Sequence, residues 1–125
     1  MQHFEKLRVA SQARVVIKAT YAFTRSLPRE EQFGLSSQMR RAAVSIGLNI
    51  AEGCSRSTTR EFIRYLEIAR GSAMELEFAK LVAEDLDMGS SREMAVMAEE
   101  LDHAQGELSS LINSLRRRLA AGTRK

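Results

Sequence analysis

The chain has no tryptophan, one proline, one cysteine and 6% aromatic residues, and each shortage removes a class of protein. A lone cysteine, Cys54, cannot close an internal disulfide, which argues against a disulfide-stapled secreted domain and fits a reducing compartment. One proline and few alternating β-branched residues weigh against a sheet and leave long stretches free to be helical. No apolar run approaches about 18 residues, so no segment is expected to span a bilayer. The start, MQHFEKLRV, lacks the basic-then-apolar order of a secretory signal. A cytoplasmic protein is therefore expected.

The same scarcity thins out the chemistry. No GxxxxGK[ST] loop is present to cradle a nucleotide, so nucleotide hydrolysis has no support. His3 and His103 lie far apart, no His/Cys/carboxylate set has zinc spacing, and Glu100-Leu101-Asp102-His103 is a lone Glu-x-x-His without the second copy a di-metal bundle needs. Cys54 has no histidine near it in sequence and reads as an ordinary thiol. The expectation is a protein with no catalytic residues, metal, cofactor or small-molecule substrate.

What the chain does have is helical periodicity. Its 125 residues, 44% hydrophobic and 28% charged, suit one globular domain spanning 1–125. From about Val9 to Ser26, Ala13, Ile17, Tyr21 and Thr24 track one helical face, and Leu27-Pro28 supplies a stop. Val9, Val16 and Phe23, spaced seven apart, make a second stripe, which predicts a second partner for this helix, either a wide core or another subunit. Leu35, Met39, Ala42, Ala43, Ile46 and Ile50 mark a second helix to Glu52, with Gly53 suited to a left-handed cap and Gly47 to close approach by another backbone. Thr58-Thr59-Arg60-Glu61 reads as a capping box that opens a third helix bearing Phe62, Leu66, Ala69, Ala73, Leu76 and Ala83, ending near Leu86. Ser90-Ser91-Arg92-Glu93 reads as another box. Behind it Met94, Met97, Leu101, Ala104, Leu108, Leu111, Leu115 and Leu119 form the cleanest seam of all, and the last five residues are expected to fray. Four amphipathic helices with short connections predict an all-α, up-down-up-down antiparallel four-helix bundle.

Charge is unevenly spread. The net +3 conceals twelve Lys/Arg against six Asp/Glu in residues 1–70, two against ten in 71–115, and five against none in 116–125. Such blocks can bind an anionic polymer or pair with one another between subunits.

The run Gln38-Met39-Arg40-Arg41-Ala42-Ala43-Val44-Ser45-Ile46 with Asn49-Ile50-Ala51-Glu52-Gly53 resembles the four-helix bundle proteins encoded within intervening sequences of bacterial 23S ribosomal RNA genes, also called S23 proteins. The likeness continues through Phe4, Glu5, Leu7, Pro28, Glu31, Glu61-Phe62, Ile68-Ala69, Gly71-Ser72 and Glu75-Leu76-Glu77. Gly47-Leu48 departs from a usual proline-serine pair, and Ala10 from a common tryptophan. The resemblance implies a small cytosolic bacterial homopentamer without established enzymatic activity. A distantly related group of pentameric bundles assists reverse transcriptases and binds nucleic acid.

Arg40, Arg41, Arg56, Arg60 and Arg64 are candidates for a phosphate-contacting surface over the second helix and the start of the third. Arg116, Arg117 and Arg118, with Arg124 and Lys125, form a basic tail. Its bland explanation is compensation of the helix dipole. Without a stacking platform, structured RNA or a ribonucleoprotein recognised by charge and shape fits better than single strands. Asn49 and Glu52 read as structural, Asn49 setting register near the seam and Glu52 pairing with an arginine across a helix or subunit boundary. Val16 and Phe23 are candidates for an oligomer contact. A protein-interaction scaffold with no nucleic-acid role is the alternative.

Overall fold

The computed structural model describes residues 2–123. It consists of α1 (Gln2–Thr24), α2 (Leu35–Cys54), α3 (Thr59–Asp85) and α4 (Ser91–Thr123), with one 3-10 turn at Arg29–Glu31 between the first two. The side chains of His3 and Phe4, together with Arg124 and Lys125, lie outside the described residues. Each helix packs on two neighbours in the cyclic order α1, α2, α3, α4, and end contacts show the pairs antiparallel: the end of α2 at Gly53 meets the start of α3 at Phe62, Arg116 and Arg118 near the end of α4 reach Glu67 and Glu5 in the first halves of α3 and α1, and Ser26 after α1 meets Ser90 before α4. Thr24 meets Arg40 between α1 and α2, Ser45 meets Ser72 between α2 and α3, and Met74 meets Gln105 between α3 and α4. Gln12 meets Glu100 to close the square. The core lies along its axis, and the apolar faces predicted for the second, third and fourth helices all point into it.

The first helix differs from its prediction. Its buried seam is Val9, Ala13, Val16, Thr20, Phe23 and Leu27, at alternating spacings of four and three, whereas Ile17 and Tyr21 flank it half-buried. Val16 and Phe23 are fully buried within their own chain, so of the two partners expected for this stripe, a wide core or another subunit, it meets the core. Thr20 hides this seam in the sequence because it is polar. Its hydroxyl donates to the Val16 carbonyl at 2.8 Å, so it can be buried without an unmet bond.

The junctions show what the glycines and caps do. Gly53 lies inside α2, not in a left-handed cap, and a Cβ there would come within 2.9 Å of the Tyr65 Cβ and 3.0 Å of the Phe62 ring. Its role is to let α2 and α3 approach where the chain turns. Gly47 faces side chains of α1, Ile17 and Ala13, and no backbone. Thr58 caps α3 by accepting from the Glu61 N–H at 3.2 Å, but the Glu61 carboxylate takes the Thr58 hydroxyl and leaves the Thr58 N–H alone. At α4, Ser90 accepts from the Glu93 N–H, while its own N–H goes to the Ser26 hydroxyl at 2.8 Å. That bond fastens the end of α1 to the start of α4, replacing the second half of the expected box. Between α3 and α4 the chain reverses through Asp87 at φ 53° and Gly89 at φ 86°. The Met88 and Asp87 N–H groups donate to the Ala83 and Glu84 carbonyls, a Schellman ending.

Candidate nucleic-acid interface

Antiparallel packing converts the charge blocks of the sequence into a polarity along the bundle. The start of α1, the end of α2, the start of α3 and the end of α4 share one end. Arg116 pairs with Glu67, Arg118 donates to the Glu5 carboxylate at 3.1 Å, and the Lys6 ammonium sits 5.0 Å above the Phe62 ring. The tail arginines thereby join Arg56, Arg60 and Arg64, although more than fifty residues separate them in sequence. Glu84, Asp85, Asp87 and Glu93 lie at the opposite end, interspersed with Arg25, Arg29 and Arg92.

The structure divides the predicted arginines by what they touch. Arg40 is half-buried, with its Nε donating to the Thr24 hydroxyl at 2.8 Å and its guanidinium 4.4 Å over the Tyr21 ring, so it ties α2 to α1. Arg41 is exposed beside it but lies about 20 Å along α2 from the basic end, at 1.5 Å per residue. Neither belongs to the surface containing Arg60. Arg56 pairs with Glu52 one turn back and lies 5.1 Å over Tyr65; within the chain the arginine partner of Glu52 is thus the one that follows α2, not one on another helix. Arg60, Arg64 and Arg117 are exposed and have no carboxylate partner among the described residues. With α4 continuing to Thr123, Arg116–Arg118 stand before its last turn, where the dipole explanation loses force because the effect fades within a turn.

Other expectations resolve similarly. Asn49 donates to the Ser45 carbonyl and hydroxyl at 2.9 and 3.0 Å, and that hydroxyl meets Ser72 Oγ at 2.8 Å, so Asn49 anchors a short polar chain between α2 and α3. Both tyrosine rings are covered by arginine, which leaves neither open for a base. Burial pushes the Cys54 thiol above its ordinary range, partly offset by Lys6. Among the described residues no group of three His, Cys, Asp or Glu side chains is placed to hold a metal, and no helix is long and apolar enough to cross a membrane. Lys6 was missed from sequence, where nothing marks a lysine at the start of a helix as part of a distant cluster.

The model of the 23S rRNA-intervening sequence protein family matches residues 5–110, most of the chain, reaching from α1 into the first part of α4. The chain belongs to that family. A crystal structure of a protein of unknown function from the S23 ribosomal protein family, from Bacteroides thetaiotaomicron VPI-5482, superposes with a TM-score of 0.77. The match is 20% identical and covers 87% of this chain and 98% of that one, a likeness of fold alone. No curated protein matches the sequence.

Proposed function

We propose that this family member works without catalysis, as a cytoplasmic homopentamer that binds structured RNA or a ribonucleoprotein through the basic end of its bundle. The observation that carries this reading is the pairing of Arg116 with Glu67 and Arg118 with Glu5, which gathers the tail arginines beside Arg60 and Arg64. The paired acids are consumed locally, so Arg60, Arg64 and Arg117 keep their charge for a partner, and their forked guanidiniums suit phosphate oxygens. Five copies in one ring turn a modest patch into a multivalent one wherever a single RNA reaches several ends.

The test is binding of labelled structured RNA and a matched duplex DNA across a salt series, with the assembly mass recorded in parallel. RNA-preferring affinity that falls steeply with salt is expected. Arg60→Glu with Arg64→Glu should abolish it while leaving the mass unchanged. Binding indifferent to salt, or to those substitutions, refutes the basic end as the site. A second reading, the scaffold without nucleic acid, is favoured by one observation: α3 exposes an apolar ridge that its own bundle leaves uncovered. Assembly without RNA binding would leave that reading standing.

A further inference from the structure

Along their outer seam α2 and α3 leave a cleft of about 600 Å³, within the size range of small-molecule sites. Its walls are mostly apolar, with Leu35 and Ala42 on α2 and Phe78, Ala79 and Val82 on α3. Phe78 also belongs to a ridge that α3 turns outward, on which Met74, Phe78 and Leu81 are 58%, 68% and 42% exposed. Among the described residues no cation lies over the Phe78 ring, whereas Tyr21, Phe62 and Tyr65 are covered by Arg40, Lys6 and Arg56. Opposite charges line the two sides of the cleft. Arg41 comes from α2 and Glu75 from α3, both are exposed, and neither has an ion-pair partner among the described residues. Neighbouring clefts differ in this respect. Glu5 in the α1/α4 cleft is taken by Arg118, and Lys80 at the turn between α3 and α4 by Glu77.

We infer that the α2/α3 cleft binds a small zwitterion with an apolar body, its carboxylate on Arg41, its ammonium between Glu75 and the Phe78 ring, and its apolar part against Ala42, Ala79 and Val82. The ligand class follows from what each wall rejects. A polyanion meets Glu75, a simple cation meets Arg41, and a neutral apolar molecule leaves both charges unanswered. A ligand carrying both signs satisfies both. The Arg41 guanidinium offers a carboxylate two parallel N–H donors, and an ammonium is favoured both by the Glu75 carboxylate and by an open aromatic face. The apolar walls then reward an aliphatic or aromatic side chain for leaving water. Free apolar amino acids and short apolar peptides with free ends share this chemistry. The cleft lies along residues 35–45 of α2, away from the basic end at its other terminus, so the inference is independent of RNA binding there.

The experiment is calorimetric titration of the full chain, without RNA, with four probes: leucine, leucyl-leucine, leucine amide, which keeps only the ammonium, and N-acetyl-leucine, which keeps only the carboxylate. The parent should bind leucine or leucyl-leucine about tenfold more tightly than either capped probe, since each cap removes one charged hydrogen bond. The tighter of the two uncapped probes tells a free amino acid from a peptide, and either supports the inference. Arg41→Gln should erase the preference for leucine over leucine amide and keep the preference over N-acetyl-leucine. Glu75→Gln should do the reverse. The preference each variant retains shows that its cleft is still folded. A parent that binds none of the probes, capped probes that bind as well as free ones, or preferences that survive both substitutions overturn the inference.

Discussion

At the scale of single residues, the turn between α3 and α4 makes the sharpest demands. Gly89 combines a left-handed φ of 86° with a position where a Cβ would come within 2.6 Å of the Phe23 ring. Gly89→Ala should lose about 2–3 kcal/mol in urea unfolding, from backbone strain plus a clash with a buried ring. Asp87 holds φ 53° with a side chain that glycine would not carry. Asp87→Gly should raise stability by about 0.5–1 kcal/mol in the same assay, since the left-handed penalty disappears. Cys54 offers a chemical readout. Its raised pKa, caused chiefly by burial, means that the folded chain holds the thiol proton more tightly than the unfolded chain. Iodoacetamide should modify it more slowly at pH 8 than in urea-unfolded protein. The corresponding stability is complete below the ordinary thiol range and is lost as pH rises through the folded value.

At the scale of elements, the two-faced helix is α3 and not α1. The apolar period of α2, α3 and α4 is legible because their core seams consist of unbroken apolar residues. On α1 a polar Thr20 occupies a seam position, so a reading of apolar residues alone draws the face through Ile17 and Tyr21 and leaves Val16 and Phe23 for another partner. Periodicity also cannot say which stripe is covered, and so the outward ridge of Met74, Phe78 and Leu81 goes unseen. A pair of substitutions separates the two cases. Phe23→Ala should cost about 3–5 kcal/mol and unfold the chain at lower urea, whereas Phe78→Ala should change unfolding of the monomer by less than about 0.5 kcal/mol. Caps are readable where local chemistry suffices. Thr58→Ala should cost about 1 kcal/mol. The Ser26 to Ser90 bond joins residues 64 apart and leaves no local signal.

At the scale of the whole molecule, the arginines of the candidate site are visible in sequence, but their grouping is not. Sequence proximity places Arg40 and Arg41 with Arg60, whereas helix length separates them and antiparallel return brings Arg116–Arg118 in their place. Truncating Arg60, Arg64 and Arg117 to glutamine should therefore reduce the steepness of the salt dependence by about 0.7–0.9 for each phosphate no longer neutralised. The same change at Arg40 should mainly lower stability, because its bond to Thr24 is removed. Titrating fluorescent RNA at four salt concentrations measures both slopes.

The polarity of the bundle has a consequence before any partner is touched. With net positive charge at one end and most carboxylates of the 71–115 block towards the other, the molecule would behave as an elongated dipole in the field of the polyanion proposed as its partner. It rotates as it diffuses, so that more encounters begin with the cationic pole leading. For the RNA proposed as partner, orientation on approach would follow from the hairpin order of the helices and not from any one arginine.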